Sequence, residues 1–307
     1  MKRYIPILLS LILVIGIAWF VKELKASSRV VKQNESLGVF GRQQSCAKHP
    51  NFLQKLRIPQ PIAIDLSQKA YRGLAFRYGR GLTKVLHLKT WEKFDHFSTY
   101  SLTPSGDIFL APMPYISIKE HTFEFQKNIY RVDSNSGNLS IWLTLDDVKA
   151  GADNPYGVTS VEYDCSDNTL WVSAIDESDY HTNRGVIYHI DIKTKKILER
   201  MEGVDALTIK LLSSNRGKFL LIGDARENRL YALEIKSSIL QNRAIELFWL
   251  PTSQEHIGKI RIKANSRIDI ETLPFSYSLI AETTEGDIRK KYSFEWSSKE
   301  SRYLEVR

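Results

Sequence analysis

Cysteine is almost absent from the 307 residues, with two in all. A disulfide-dense small scaffold and a four-cysteine zinc site are both excluded. Proline is sparse at ten and aromatics reach 11%, which excludes wholesale disorder. The seven histidines show no HxH or HExxH spacing, so a zinc hydrolase motif is missing. There is no GxSxG, no P-loop, and no GxGxxG running from a strand into a helix. From about residue 60 onward no amphipathic helix longer than two turns can be drawn.

The charge is also missing where it would matter most. The formal net charge is +8, but residues 1–57 hold ten Lys/Arg against only Glu23 and Glu35. The remaining 250 residues balance at 33 of each sign. A neutral body has no overall field to draw in nucleic acid, so a nucleic-acid partner is not expected.

What is present begins with "MKRYIPILLSLILVIGIAWFVKELK". Residues 4–21 are uncharged, and as a helix they would be about 27 Å long, close to the thickness of a bilayer's hydrocarbon core. Lys2 and Arg3 precede the run, and the positive-inside rule then puts the N-terminus in the cytoplasm and the body outside. Residues 1–25 read as a cytoplasmic tip and signal-anchor helix, and the membrane is the first expected partner. A cleaved signal peptide is the competing reading, with Ala26, Ser27 and Ser28 as its small residues and a secreted body as its consequence. Residues 26–59 are polar with little periodicity and read as a linker.

Residues 60–307 repeat one layout. "SLTPSGDIFLAP", "DCSDNTLWVSA" and "LLSSNRGKFLLIGDA" each run from a polar turn into an apolar strand. Each is followed, after a variable loop, by a strand bearing an aromatic marker: Tyr130, Tyr188 and Tyr231. The markers lie 58 and 43 residues apart. "KVLHLKTWEKF" (84–94) and "IRKKYSFEW" (288–296) extend the series at both ends. Four-stranded units of this length are the signature of an all-β propeller. Five units are counted, about 61–98, 99–150, 154–202, 203–250 and 255–307, and a sixth would have to lie in the irregular stretches. A decorated β-sandwich is the alternative, but it has no reason to repeat.

"GDARENRLYALEI" (223–235) resembles the phrase of NHL propellers in which a strand ends in Ala-Asp and an Asn-Arg pair closes the loop. "DNPYGVTSVEYDCSDNTLWVSAID" (153–176) resembles SMP-30/gluconolactonase propellers and the related strictosidine synthase-like proteins. The resemblance implies a six-bladed type of ring. It also implies a divalent ion held near the axis by Glu, Asn and Asp. Asn154 matches the Asn position and Asp205 the place of a second ligand. The acid expected at the first inner strand is missing, since "PQPIAIDL" offers Pro61 and Ile62.

The propeller reading places Asn154 and Asp205 at the starts of successive inner strands. Asp176 and Asp224 fall in the loops after second strands, and Glu282 at the end of a strand in the last unit. Together they form an acidic, oxygen-rich axial face suited to Ca²⁺ or another divalent metal, or to a polyhydroxy ligand. Asp and Asn in loops also make turns and cap strands without any ligand.

Two functions follow. One is an anchored extracytoplasmic propeller binding a small molecule or metal on the axial face, as a lactonase- or esterase-like hydrolase with Asp205 taking the proton from a metal-bound water. The other is a non-catalytic scaffold whose loops 115–127 and 176–184 grip another protein. In an oxidising compartment Cys46 and Cys165 pair and tie the linker to the third unit; on a surface without dedicated oxidation they stay free. Spacing does not decide between these.

Overall fold

Three aspartates show how local sequence makes the turns. Asp133, Asp164 and Asp191 each close a strand and accept backbone N–H groups two or three residues on: Asn135 and Ser136, Ser166, and Thr194. Four residues after each aspartate the chain takes positive φ, at Gly137, Asn168 and Lys195. There the backbone N–H returns to the aspartate's carbonyl at 2.8–3.0 Å. A carboxylate that satisfies the turn's own donors needs no help from the rest of the protein. The same device therefore recurs at three separate reversals of the chain.

In a computed structural model, residues 30–33, 35–41, 46–66, 71–113, 123–151, 153–252, 255–263, 265–277 and 289–306 are described. Their strands form five sheets, each an antiparallel run of consecutive strands, to one of which the N-terminal arm adds a parallel strand. The first holds β2 (Ile62–Asp65), β3 (Ala75–Tyr78) and β4 (Lys84–Leu86). The second holds β5 (Phe97–Leu102), β6 (Ile108–Pro112), β7 (Asn128–Val132) and β8 (Leu139–Thr144). The third holds β9 (Val158–Asp164), β10 (Thr169–Ala174), β11 (Val186–Asp191) and β12 (Ile197–Glu202). The fourth holds β13 (Ala206–Ser214), β14 (Gly217–Asp224), β15 (Arg229–Lys236) and β16 (Ile239–Trp249). The fifth holds β17 (Glu255–Ile262), β18 (Ile268–Pro274), β19 (Lys291–Ser297) and β20 (Arg302–Glu305).

First strands pack on first strands, β5 against β9, β9 against β13, and β13 against β17. This is an all-β, five-bladed propeller, with the five units where the repeat places them. The aromatic markers Tyr130, Tyr188, Tyr231 and Tyr292 all sit on third strands. Burial follows position in the blade. Every residue of β9 and β10 is buried, whereas the outer strand β12 alternates with Ile197 and Leu198 exposed. The glutamates and arginine on that edge discourage pairing with another chain.

Two expectations change. The first blade has three strands among the described residues, not four. The stretch around 252–275, poorly patterned in sequence, is the β17–β18 hairpin. The apolar segment 4–21 lies outside the described residues. Among those that are described, no helix is long and apolar enough to cross a membrane.

The segment expected as a linker is packed onto the propeller. β1 (Val30–Gln33) adds to β16 as a parallel fifth strand of the fourth blade. Glu35 then pairs with Arg243 and Arg216, and Phe40 bridges to Ser214. Cys46 is disulfide-bonded to Cys165 in the third blade, with Cα atoms 6.0 Å apart. The Lys48 N–H reaches Thr103 O and the Phe52 N–H reaches Ser134 O, both in turns of the second blade. The short helix α1 (Asn51–Lys55) drops Phe52 and Leu53 into the core between the first two blades. The arm thus crosses the blades in reverse order, from fourth to first.

The disulfide spans 119 residues of sequence. Closing a loop of that size in the unfolded chain stabilises the native state by about 2–4 kcal/mol. Cys46→Ser is expected to lower the melting temperature by several degrees. Thermal unfolding of wild type with and without reductant should show the same loss, and non-reducing peptide mapping should recover the two peptides joined. Two freely alkylated thiols in native protein would contradict it.

Candidate functional site

On the face opposite the aspartate turns, loops after second strands meet the starts of first strands. Asp205 immediately precedes β13, and its side chain is fully buried. Its Oδ1 accepts the Ser178 hydroxyl at 2.6 Å and the Gly185 N–H at 2.8 Å. Its Oδ2 accepts the Tyr277 hydroxyl at 2.7 Å and Arg226 Nη1 at 3.3 Å. Gly185 is required here, because a Cβ would lie 2.2 Å from Asp205 Oδ1. Burial and the neighbouring Asp205 carboxylate push the Tyr277 hydroxyl's pKa well up, so it stays a neutral donor.

Asn154 is also buried, and it reaches the same loop from the other side. Its Nδ2 donates to Ser178 O at 2.6 Å, and its Oδ1 accepts the Tyr156 N–H. Ser178 therefore stands between Asn154 and Asp205. Arg226 fixes the rest of the 176–184 loop, donating to the carbonyls of Asp179, Tyr180 and Thr182 at 2.7–3.1 Å. Tyr180 is held at the tip, edge-on to Tyr277 and hydrogen-bonded to Ser276, yet 64% exposed.

Beside this lies a cavity of about 200 Å³ lined by Asp205, Asp224, Arg226, Glu227 and Arg229, among others. Asp224 accepts the N–H groups of Arg226 and Glu227 and pairs with Arg229 Nε at 3.1 Å. Burial pushes its carboxyl up to about 6 despite the pull of Arg229. Arg229 also meets Glu227 and Glu246 and lies over the rings of Tyr231 and Trp249.

The expected residues thus divide. Asp205 and Asp224 share a cavity, and Asn154 joins them through Ser178. Asp176 turns elsewhere, accepting the Lys149 N–H at 2.8 Å, with burial raising its pKa. Glu282 lies outside the described residues. Sequence reasoning missed Arg226, Tyr277 and Ser178. The one available signal was an arginine inside "DAREN", next to acids that would need a cation once buried.

This set does not fit a bound divalent ion. Both oxygens of Asp205 are taken by protein donors, one of them the Arg226 guanidinium. Asn154 turns its amide oxygen to its own backbone. Among the described residues no group of three or more His, Cys, Asp or Glu is placed to hold a metal.

No family model matches the chain, and no curated protein matches it in sequence. Solved structures are similar in shape. A GH74 xyloglucanase from Xanthomonas campestris is 10% identical, with a TM-score of 0.48, over 86% of this chain and 39% of that one. A hypothetical selenium-binding protein from Sulfolobus tokodaii is 10% identical, with a TM-score of 0.46, over 76% and 56%. The gluconolactonase XC5397 of Xanthomonas campestris is 13% identical, with a TM-score of 0.42, over 66% and 62%. The chain spans less than two thirds of the length of each. The class is defined by the sheets themselves, a five-bladed β-propeller, and no residue role is carried over from these structures.

Asp224 holds its proton more tightly folded than unfolded, where its pKa is about 3.9. Its contribution is fully present below about pH 4 and is lost as pH rises through about 6. Asp224→Asn should remove that decline, so that the variant's stability relative to wild type improves as pH rises from 4 to 7. Urea unfolding of both proteins across pH 4–7 measures it. Parallel pH profiles would contradict the assignment.

Proposed function

We propose that this chain is a membrane-tethered, extracytoplasmic propeller that acts as a non-catalytic binding module, gripping a partner protein with the 176–184 loop. The observation that carries this reading is the saturation of Asp205. Four protein donors occupy the carboxylate that a hydrolase would need free, and the cluster fixes the loop above it. The product of that arrangement is Tyr180, a rigid and exposed aromatic on an ordered loop. Such residues dominate binding at protein interfaces, because little side-chain entropy is left to lose. The Cys46–Cys165 bond supports an oxidising compartment. The uncharged run 4–21 with its basic flank supports the tether.

The competing reading is a lactonase- or esterase-like hydrolase with a divalent ion on the axial face. Asn154, Asp205 and Asp224 favour it by position alone. Calcium, magnesium, manganese and zinc are expected to leave the melting temperature unchanged, and a lactone and ester screen should show no turnover. An ion-dependent stabilisation abolished by Asp205→Ala would restore the metal reading, since an ion bound only to the folded form raises its stability. For the binding reading, a photo-crosslinker in place of Tyr180 should give one saturable adduct with an extracytoplasmic protein, and Tyr180→Ala should weaken capture of that protein about tenfold or more. Random labelling at Tyr180 would contradict it.

Protease shaving of intact cells tests the topology. The body should be degraded from outside while its fragment 1–25 stays with the membrane. A body protected until lysis would overturn the extracytoplasmic placement.

A further inference from the structure

β1 runs parallel to β16, with Val30 opposite Arg243 and Gln33 opposite Glu246. β16 begins at the turn that follows β15, so the chain before Val30 enters from the face carrying that turn. Other turns lie on the same face. The Ser238 hydroxyl in the β15–β16 turn bonds Asp167 in the β9–β10 turn at 2.7 Å, and Lys218 pairs with Asp164 beside it. The arm crosses this face too, through Cys46 at the β9–β10 turn and α1 at the β7–β8 turn. The Asp205 cluster lies on the opposite face, where β13 starts and β14 ends.

The two faces differ in charge. The turn face presents Lys55, Lys193, Lys195, Lys196, Lys236 and Lys299, all exposed. Exposed Leu56 and Ile239 stand among them, at 51% and 54%. The opposite face presents Asp146, Asp153 and Asp179, with Glu177 paired to the exposed Lys149 and Arg184. The eight residues 22–29 between the apolar run and β1 reach at most about 28 Å when fully extended. They deliver the basic face, not the acidic one, to the bilayer.

We propose that the turn face lies against an anionic lipid surface, so that the propeller stands with its Asp205–Tyr180 face pointing away from the membrane. The interaction is electrostatic attraction of lysines to acidic headgroups, with Leu56 and Ile239 entering the interface. It rests on the tether proposed above and adds an orientation to it. Salt weakens it, because surface attraction decays within a Debye length of about 8–10 Å.

The test uses the full chain reconstituted into vesicles of phosphatidylcholine with or without phosphatidylserine, with nitroxide-labelled headgroups. One fluorophore is placed at Ser298→Cys on the turn face, or at His181→Cys on the opposite face. Quenching in the serine-lipid vesicles should be several-fold greater for the Ser298 label. It should fall on raising salt, and in the paired Lys193→Glu, Lys196→Glu variant, whose exposed positions leave folding intact. Equal quenching at the two sites, or stronger quenching at His181, would overturn the orientation. The same quenching with and without phosphatidylserine would overturn the role of anionic lipid. Release of the chain by alkaline carbonate would overturn the tether and, with it, this inference; that readout is separate from the quenching and identifies which claim has failed. An acidic protein as the true occupant of this face would show as no preferential quenching in pure lipid.

Discussion

The covalent tie between Cys46 and Cys165 is the constraint on which the assembly of blades depends. Apart from β1, which the arm adds to the fourth blade, each sheet is built from strands consecutive in sequence. Four hydrophobic clusters join first to second, second to third, third to fourth and fourth to fifth blades. Among the described residues no such cluster joins the fifth to the first. Neighbouring blades are therefore held mainly pairwise, with one further cluster of Ile175, Leu207, Ala225 and Tyr277 joining the third, fourth and fifth, and the first and second blades lie outside it. The arm answers this by touching the fourth, third, second and first blades in turn. The disulfide sits at the middle of that path and prevents the arm from peeling away from either end.

The arm's other contacts are individually weak. The Lys48 and Phe52 amides each make one backbone hydrogen bond, worth about 1 kcal/mol net. The ion pairs of Glu35 with Arg216 and Arg243 are partly exposed and contribute little more. Such contacts need the arm to be near the blades already. A covalent bond supplies that proximity, and the apolar side chains of Leu37, Phe40, Phe52 and Leu53 then bury into cores that would otherwise be open at one end. Stability of the disc and oxidation state are thereby coupled.

This explains what sequence could and could not reveal. The repeat was legible because the third strands of the second to fifth blades carry a tyrosine and many reversals carry their own aspartate or glycine. The β17–β18 hairpin was not. Its first strand carries Lys259 and Arg261, and a register shift between Ile257 and Lys259 breaks the period of two. The arm was illegible because its apolar anchors, Leu37, Phe40, Phe52 and Leu53, are scattered without strand periodicity, and its backbone bonds and disulfide leave no side-chain pattern. At the site, Asn154 and Asp205 were legible as the starts of first strands. Their partners were not, since Tyr277 comes from the fifth blade, 72 residues after Asp205. An isolated acid at a strand start looks like a ligand until the residue that saturates it is known.

The distribution of polar groups assigns different work to the two faces. On the turn face, Asp133, Asp164 and Asp191 each spend one carboxylate oxygen on their own turn, while Asp164 also takes Lys218 and Asp133 takes Arg131; Lys193, Lys196 and Lys299 stay exposed. On the opposite face, Asp205 and Asp224 spend theirs on arginines brought from loops. Those arginines are consumed in holding carbonyls of the 176–184 loop and the acids of the cavity. What reaches solvent is then a rim of acids, of which Glu177 pairs with Lys149 and Arg184, and an aromatic ring at the tip. Rigidity at Tyr180 follows directly from burial of Asp205: without the carboxylate, Arg226 and Tyr277 would lose their common partner, and the loop would lose both of its supports.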